Sequence, residues 1–287
     1  MTEDTNADAP DGIPYRCYGP LVFRRRPPDR PVEAARRLTV GRLTLELAGG
    51  SVVGHRYPEN FDVLHLDPEL PLAAVADGMG DGEGSRIAGA TALSTFVDQV
   101  RAGWPTVGAA ELHAATAETQ LRVRRAGAAV PGLTGCTLTA LVAEPEGGRG
   151  WLVQLGDSRA YRLRDGLLEL ITVDHTMAWL GVTHGWWPAD SPEAARARYQ
   201  LLRYVGHPDK PEPDVLSVPL RTGDTWLLCT DGVSDQLGYH RLRDLLAARR
   251  DPARTAEALL AATLAEGGDD NATAAILRVH PTVPAPR

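Results

Sequence analysis

Apolar positions along this chain recur with two different periods. Short dense runs of Leu, Val, Ala and Trp occupy residues 43–47, 63–66, 72–76, 137–143, 151–155, 160–163 and 168–173, then 215–218, 226–229 and 274–279. Runs of this length between turn residues read as strands. After the third run the period lengthens: Ile87, Ala90, Leu93, Val97 and Val100 fall on one face of a helix expected over 85–100, and a second helix is expected over 109–125. A further pair is expected over 241–249 and 252–265, the latter opened by Pro252, which a first helical turn tolerates. Strict alternation of strand and helix would indicate a doubly wound parallel sheet. Grouped strands and paired helices instead predict segregated layers, an α+β fold. No fixed-period repeat is visible.

Two regions break the pattern. Residues 1–40 lack sustained periodicity and are rich in proline and charge, so they read as an extension ahead of one domain over 41–287. Residues 183–213 hold several prolines, Trp186 and Trp187 and little strand pattern, and read as an insertion or flap, where binding determinants often sit.

Composition narrows the class. With 43% hydrophobic and 23% charged residues in 287, the sequence is that of a soluble globular chain. No apolar stretch approaches the roughly 20 residues of a membrane-spanning helix, and the acidic, polar start is not a secretory signal. Cys17, Cys136 and Cys229 are scattered, with no C-x-x-C pair, which argues against a disulfide framework and against structural zinc. A reducing, cytoplasmic setting is expected. The net charge of −7 is uneven: residues 16–42 carry eight arginines against Asp29 and Glu33. The run Arg24-Arg25-Arg26-Pro27-Pro28 reads as a solvated leader, with capture of a phosphopeptide or another acidic partner as the alternative. The acidic body argues against nucleic-acid binding as the main task.

The chemistry lies where apolar strands run into aspartate. The run 71–76 leads into Asp77-Gly78-Met79-Gly80, the run 151–155 into Gly156-Asp157-Ser158-Arg159, and the run 226–230 into Asp231-Gly232-Val233-Ser234-Asp235. Gly267-Gly268-Asp269-Asp270-Asn271 precedes the last strand. One Asp-Gly after a strand is ordinary turn chemistry. Four such turns imply more, because clustered aspartates repel one another unless a cation neutralises them. Oxygen ligands without His or Cys favour magnesium, manganese or calcium over zinc or copper, and two such ions about 4 Å apart form a clamp for hydrolysing phosphate esters.

Asp77-Gly78-Met79-Gly80, Gly135-Cys136-Thr137, Gly156-Asp157-Ser158-Arg159, Asp231-Gly232 with Asp235, and Asp270-Asn271 together resemble, in order and spacing over about 43–280, the metal-dependent PP2C-type (PPM) serine/threonine phosphatases. The resemblance implies a four-layer αββα sandwich of two mainly antiparallel sheets flanked by helix pairs, with Mn2+ or Mg2+ at one end. It implies that Asp77 bridges two ions, Gly78 offers its carbonyl, Asp231 and Asp270 hold the second ion, and Asp62 binds through water. Asp157 resembles the ligand of a third, weaker ion in bacterial members. Asp174-His175-Thr176 resembles a structural stretch, and the flap would follow it, over about 176–213. The implied reaction is direct hydrolysis of phosphoserine and phosphothreonine by a hydroxide bridging the ions, with Asp77 and Asp231 central to catalysis and no phosphoenzyme. Phosphoproteins, a serine/threonine kinase or its targets would be the partners.

Several positions depart from the family pattern. The phosphate-orienting arginine usually stands three residues before the Asn of the first motif; Tyr57 stands there, and Arg56, one residue earlier, is the candidate. Phe61 replaces a glutamate, removing an outer acceptor around the ions and pointing to lower activity. The loop 80–85 is short, and its Asp81 and Glu83 read as favouring the start of the next helix, with a ligand role as the alternative. Met79 replaces a histidine of many eukaryotic members, so the leaving alkoxide must be protonated by another group, such as a metal-bound water. His55 and His175 read as surface or packing residues. Two other functions compete: a catalytically weak or inactive phosphoprotein-binding module, and an aspartyl-phosphate hydrolase. The latter lacks its Asp-x-Asp, since Cys229 and Val75 stand two residues before Asp231 and Asp77, and the only lysine available to it is Lys210.

Overall fold

The computed structural model describes residues 32–248 and 250–282. Strands β1 (Glu33–Val40), β2 (Leu43–Val52), β3 (Val63–Leu66) and β4 (Leu72–Ala76) lead into helices α1 (Glu83–Gly103) and α2 (Ala109–Gly127). Strands β5 (Leu138–Ala143), β6 (Arg149–Leu155), β7 (Arg159–Arg164) and β8 (Leu167–Leu170) follow, then short helices α3 (Met177–Thr183) and α4 (Pro192–Ala197). The chain closes with β9 (Asp214–Pro219), β10 (Thr225–Cys229), α5 (Asp231–Ser234), α6 (Tyr239–Ala247), α7 (Pro252–Ala265) and β11 (Ala272–Pro281).

The strands form two sheets, in order β1-β2-β11-β10-β7-β8 and β3-β4-β5-β6-β9, and every strand pairing is antiparallel. Side chains alternate across a strand, and here the alternation sorts them into separate cores. From β4, Ala73 and Val75 enter the layer between the sheets, while Leu72, Ala74 and Ala76 face α1 and α2. From β10, Trp226 and Leu228 enter the same central layer, while Leu227 and Cys229 join the core under α6 and α7. Three stacked cores therefore separate four layers, which is the αββα sandwich expected from the sequence.

The differences from expectation have local causes. Glu33–Val40 falls within the expected extension but pairs with β2 as an edge strand, its register slipping between Glu33 and Arg36; arginine-rich edge strands carry little apolar signal. Strand β2 runs five residues beyond the expected end, through Gly49-Gly50, which resembles a turn in sequence. These glycines serve close packing: a Cβ on Gly50 would stand 2.8 Å from Leu260 of α7, and one on Gly49 would stand 2.7 Å from the Ala274 carbonyl. On α1 the buried face is Ala88, Ala92, Leu93, Phe96, Val97 and Val100, whereas Ala90 is exposed and Ile87 half-buried. Small residues take the first turns of that face because α1 lies close against the sheet there, a Cβ on Gly89 meeting Val63 at 3.0 Å. The acidic start, Cys17 and Arg24-Arg25-Arg26 lie outside the described residues.

The central layer gives a stability prediction. Leu277 of β11 is 1% exposed between the sheets, whereas Leu216 of β9 is 40% exposed. Leu277→Ala is expected to cost about 2–5 kcal/mol and Leu216→Ala less than about 0.5 kcal/mol, measured as shifts of the urea midpoint at unchanged slope.

Candidate metal centre

Topology alone brings the acidic turns to one end of the sandwich. Strands β4 and β6 are both antiparallel to β5, so they leave the sheet at the same end, delivering Asp77 and Gly156-Asp157. Strand β10 is antiparallel to β11, so the exit carrying Asp231 lies beside the start preceded by Asp270 and Asn271. Asp77, Asp157, Asp231 and Asp270 line one pocket of about 240 Å³, together with Gly78, Met79, Gly80, Thr137 and Asn271. Asp62 is buried in the same field of charge: Asp231 and Asp270 raise its proton affinity, and it raises that of Asp77.

Polar side chains hold this end in place. Thr137 Oγ1 accepts from the Asp77 amide at 2.9 Å and lies 2.7 Å from Ser158 Oγ, tying two acidic turns together. Asn271 Oδ1 accepts from the Phe61 amide at 2.9 Å, and the Phe61 carbonyl accepts from the Gly78 amide at 3.2 Å. The hydroxyls of Thr230 and Thr273 each donate to Asp62 Oδ2 at 2.8 Å. Gly78 and Gly232 allow the strands to crowd together: a Cβ on Gly78 would stand 2.6 Å from the Ser85 carbonyl, and one on Gly232 would stand 1.9 Å from that of Asn271.

His175 braces Asp157 from behind. Its Nδ1 accepts from the Gly156 amide at 3.1 Å, its own amide donates to the Gly156 carbonyl at 3.0 Å, and its Nε2 lies 3.1 Å from Asp214 Oδ2. Asp174 accepts a paired hydrogen bond from Arg159. His175 is thus a buried packing histidine, whereas His55 is exposed.

The carboxylates do not balance electrically on their own. Burial first, then the neighbouring carboxylates, pushes Asp77 and Asp157 well above the usual carboxylate range. Burial raises Asp62 to about 7 against the hydrogen bonds from Thr273 and Thr230. Burial, with Asp270 and Asp235, raises Asp231 to about 6. Burial raises Asp270 too. Asp62 Oδ1, Asp231 Oδ1 and Ser234 Oγ are buried with no hydrogen-bond partner. Buried acceptors of this kind are rare unless something else satisfies them, and a hard divalent cation fits that description. No three Asp, Glu, His or Cys side chains among the described residues close into a protein-only metal site. Ions that retain several waters and take one or two carboxylates each do not need one.

The positions that depart from the family pattern fall at and around the pocket as follows. Tyr57 lines the pocket. Arg56 is exposed, does not line it, and places its guanidinium carbon 5.2 Å from the Tyr57 ring centroid. Phe61 is buried and meets the same ring edge-on, centroids 6.3 Å apart. The segment 176–213 supplies Tyr199 and Leu201 to the pocket, Arg198 to an ion pair with Asp235 at 3.1 Å, and Val205 to a bridge with Cys136. Lys210 lies elsewhere, in a cavity of about 470 Å³ beside His113 and Gln120 of α2, which removes the lysine an aspartyl-phosphate hydrolase would need.

Known proteins resemble this chain in sequence and fold. The serine/threonine phosphatase Stp of Listeria welshimeri is 26% identical over 225 residues, covering 77% of this chain and 89% of Stp. The serine/threonine protein phosphatase PstP of Mycobacterium tuberculosis is 32% identical over 213 residues, 72% of this chain and 40% of PstP. The crystal structure of the PstP catalytic domain in complex with two manganese ions has a TM-score of 0.72 at 31% identity, covering 83% of this chain and 99% of that one. PppA of Pseudomonas aeruginosa has a TM-score of 0.72 at 28% identity, covering 85% of this chain and all of that one. Residues 60–266, most of the described chain, match the protein phosphatase 2C family, and the chain belongs to it.

Proposed function

We propose that this protein is a metal-dependent phosphatase that hydrolyses phosphoserine and phosphothreonine in other proteins. The observation that carries the reading is the convergence of four strand-end aspartates on one pocket, beside buried carboxylate oxygens of Asp62 and Asp231 that no protein group satisfies. Asp77, Asp231 and Asp270 would hold two ions, with the Gly78 carbonyl as a further ligand and Asp62 acting through water. Asp157, which shares the field of Asp231 and Asp235, would take a third. Manganese and magnesium both suit an all-oxygen set. Bound ions supply the Lewis acidity and the activated water that phosphomonoester hydrolysis requires.

The chain's own residues determine where that chemistry happens. The strand ends fix the spacing of the carboxylates, Thr230 and Thr273 orient Asp62, and the His175 brace fixes the turn carrying Asp157. The flap over 176–213 would cover the pocket's rim and contact the phosphoprotein on either side of the phosphorylated residue, and a serine/threonine kinase with overlapping targets is the natural counterpart. No helix among the described residues is long and apolar enough to cross a membrane. Cys136 and Cys229 are free, which accords with a reducing cytoplasm.

Three outcomes follow. Asp231→Asn should reduce phosphate release from a phosphothreonine peptide in Mn2+ by more than the roughly 10–100-fold lost with an outer hydrogen-bond partner of a metal ligand; activity retained by the variant, or in EDTA by the unaltered protein, contradicts the reading. Thr230→Val, which removes one donor to Asp62, should weaken Mn2+ binding by roughly 10–100-fold in a calorimetric titration. The third outcome concerns pH. A carboxyl whose folded pKa is raised holds its proton after the unfolded chain has released it, so its stabilising effect is present at low pH and disappears as pH rises through the folded value. With Asp231 at about 6 and Asp62 at about 7, the EDTA-treated protein should lose thermal stability from pH 5 to 8. Saturating Mn2+ should abolish that decline, and binding at pH 6 should release protons, read as a dependence of the calorimetric heat on buffer ionisation.

A further inference from the structure

A second cavity, of about 400 Å³, lies beside the pocket of aspartates. The two share a wall. Tyr199 and Leu201 line the first, Arg198 and Thr176 line the second, and Thr176 pairs with Leu201 in a β-bridge. In the same way Asp157 lines the first and Arg159, two residues on, lines the second. One side of the second cavity is apolar, where Trp179 and Val182 of α3 stand with Ala194 and Ala195 of α4. Trp179 is 49% exposed, a large ring left open to solvent. Its helix is held in place: Thr176 Oγ1 accepts from the Trp179 amide at 3.2 Å, and Trp187 packs so close to Gly181 that a Cβ there would stand 2.3 Å from its ring. Four charged residues complete the lining, and three of them are matched. Arg159 makes a paired hydrogen bond to Asp174, and Arg198 lies 3.1 Å from Asp235. Asp190, between α3 and α4, has no ion-pair partner among the described residues.

We infer that this cavity is a specificity subsite that takes an arginine or lysine side chain of the phosphoprotein, two or three residues from the phosphorylated one. A long basic side chain has the two halves that this lining complements. Its apolar stem lies along Trp179, Val182 and the alanines, and its cationic head meets the Trp179 ring and the Asp190 carboxylate. An apolar side chain would leave Asp190 unmatched, and an acidic one would meet it with like charge. The reach suits a short segment, because an extended chain advances about 3.3–3.6 Å per residue and the bridged strip of chain at Thr176 and Leu201 is what stands between the two cavities. A ring and a carboxylate already fixed on short, packed helices lose little freedom when the ligand arrives. The inference rests on the phosphatase reading and deepens it by naming the chemistry of the substrate next to its phosphate.

The test measures steady-state hydrolysis, by the full chain in Mn2+, of phosphothreonine peptides that carry a single arginine, leucine or glutamate in an otherwise alanine background, placed in turn at each of the positions flanking the phosphothreonine. Within each variant, kcat/KM is taken as a ratio to the all-alanine peptide, so that a general loss of activity divides out. Arginine at one position should raise kcat/KM roughly five- to tenfold, acting through KM, as a cation–π contact and an exposed ion pair together do. The gain should shrink as salt rises from about 0.05 to about 0.5 M. Asp190→Asn and Trp179→Ala should each reduce it to about twofold or less. Asp190→Lys should reverse the preference, so that glutamate at the same position is favoured. Equal rates for all peptides with the unaltered protein overturn the inference. So does a preference for leucine over arginine, which would make the cavity a purely apolar subsite, and so does an arginine preference that survives both Asp190→Lys and Trp179→Ala. If the unaltered protein hydrolyses no peptide, the phosphatase reading fails first and this inference with it; if it hydrolyses all of them alike, only this inference fails.

Discussion

Mutual repulsion among aspartates is the force that the architecture has to contain. Asp62, Asp77, Asp157, Asp231 and Asp270 each raise or feel the proton affinity of another member of the set, and burial leaves little water to screen them. A loop-built cluster would relax by moving apart. Here the acids are fastened to the ends of β4, β6 and β10 and the start of β11, strands locked by antiparallel ladders on both sides and packed between helix pairs. The sandwich therefore acts as a frame that keeps like charges together until positive charge arrives, and the binding energy of the ions offsets an electrostatic cost already built into the fold.

The parts of this design legible in the sequence are those governed by periodicity and by short covalent spacing. Short dense apolar runs identified most of the strands, and the bounds of α7 were readable because Pro252 marks a first helical turn. The acidic turns were visible because each aspartate stands within two residues of a strand's end or start. Less legible were contacts made in space. The small-residue face of α1, the Gly49-Gly50 stretch inside β2 and the arginine-rich β1 all depend on what packs against them or on an unpaired edge. Short helices α3, α4 and α5 span too few residues for a period to register.

The loop from Arg56 to Asp62 shows the same division at the scale of single residues. In sequence it reads as a degraded motif, with Tyr57 and Phe61 where charged groups were expected. In space the two substitutions belong together: Phe61 is buried against Tyr57, its backbone is pinned by Asn271 and holds Gly78, and Arg56 closes the other contact with the tyrosine ring. The loop is thus held by an aromatic pair and a guanidinium against one ring.

The bridge through Cys136 has a consequence for how such a protein withstands oxidants. Cys136 pairs with Gly78 on one side and Val205 on the other, wholly enclosed beside Asp77. Burial and that carboxylate hold its thiol far up in the protonated form, and burial likewise pushes Cys229 up to about 12. Peroxide reacts with thiolates, and these two sulfurs offer it none. Chemistry resting on oxygen ligands and shielded thiols would continue through redox stress that silences enzymes whose nucleophile is a cysteine.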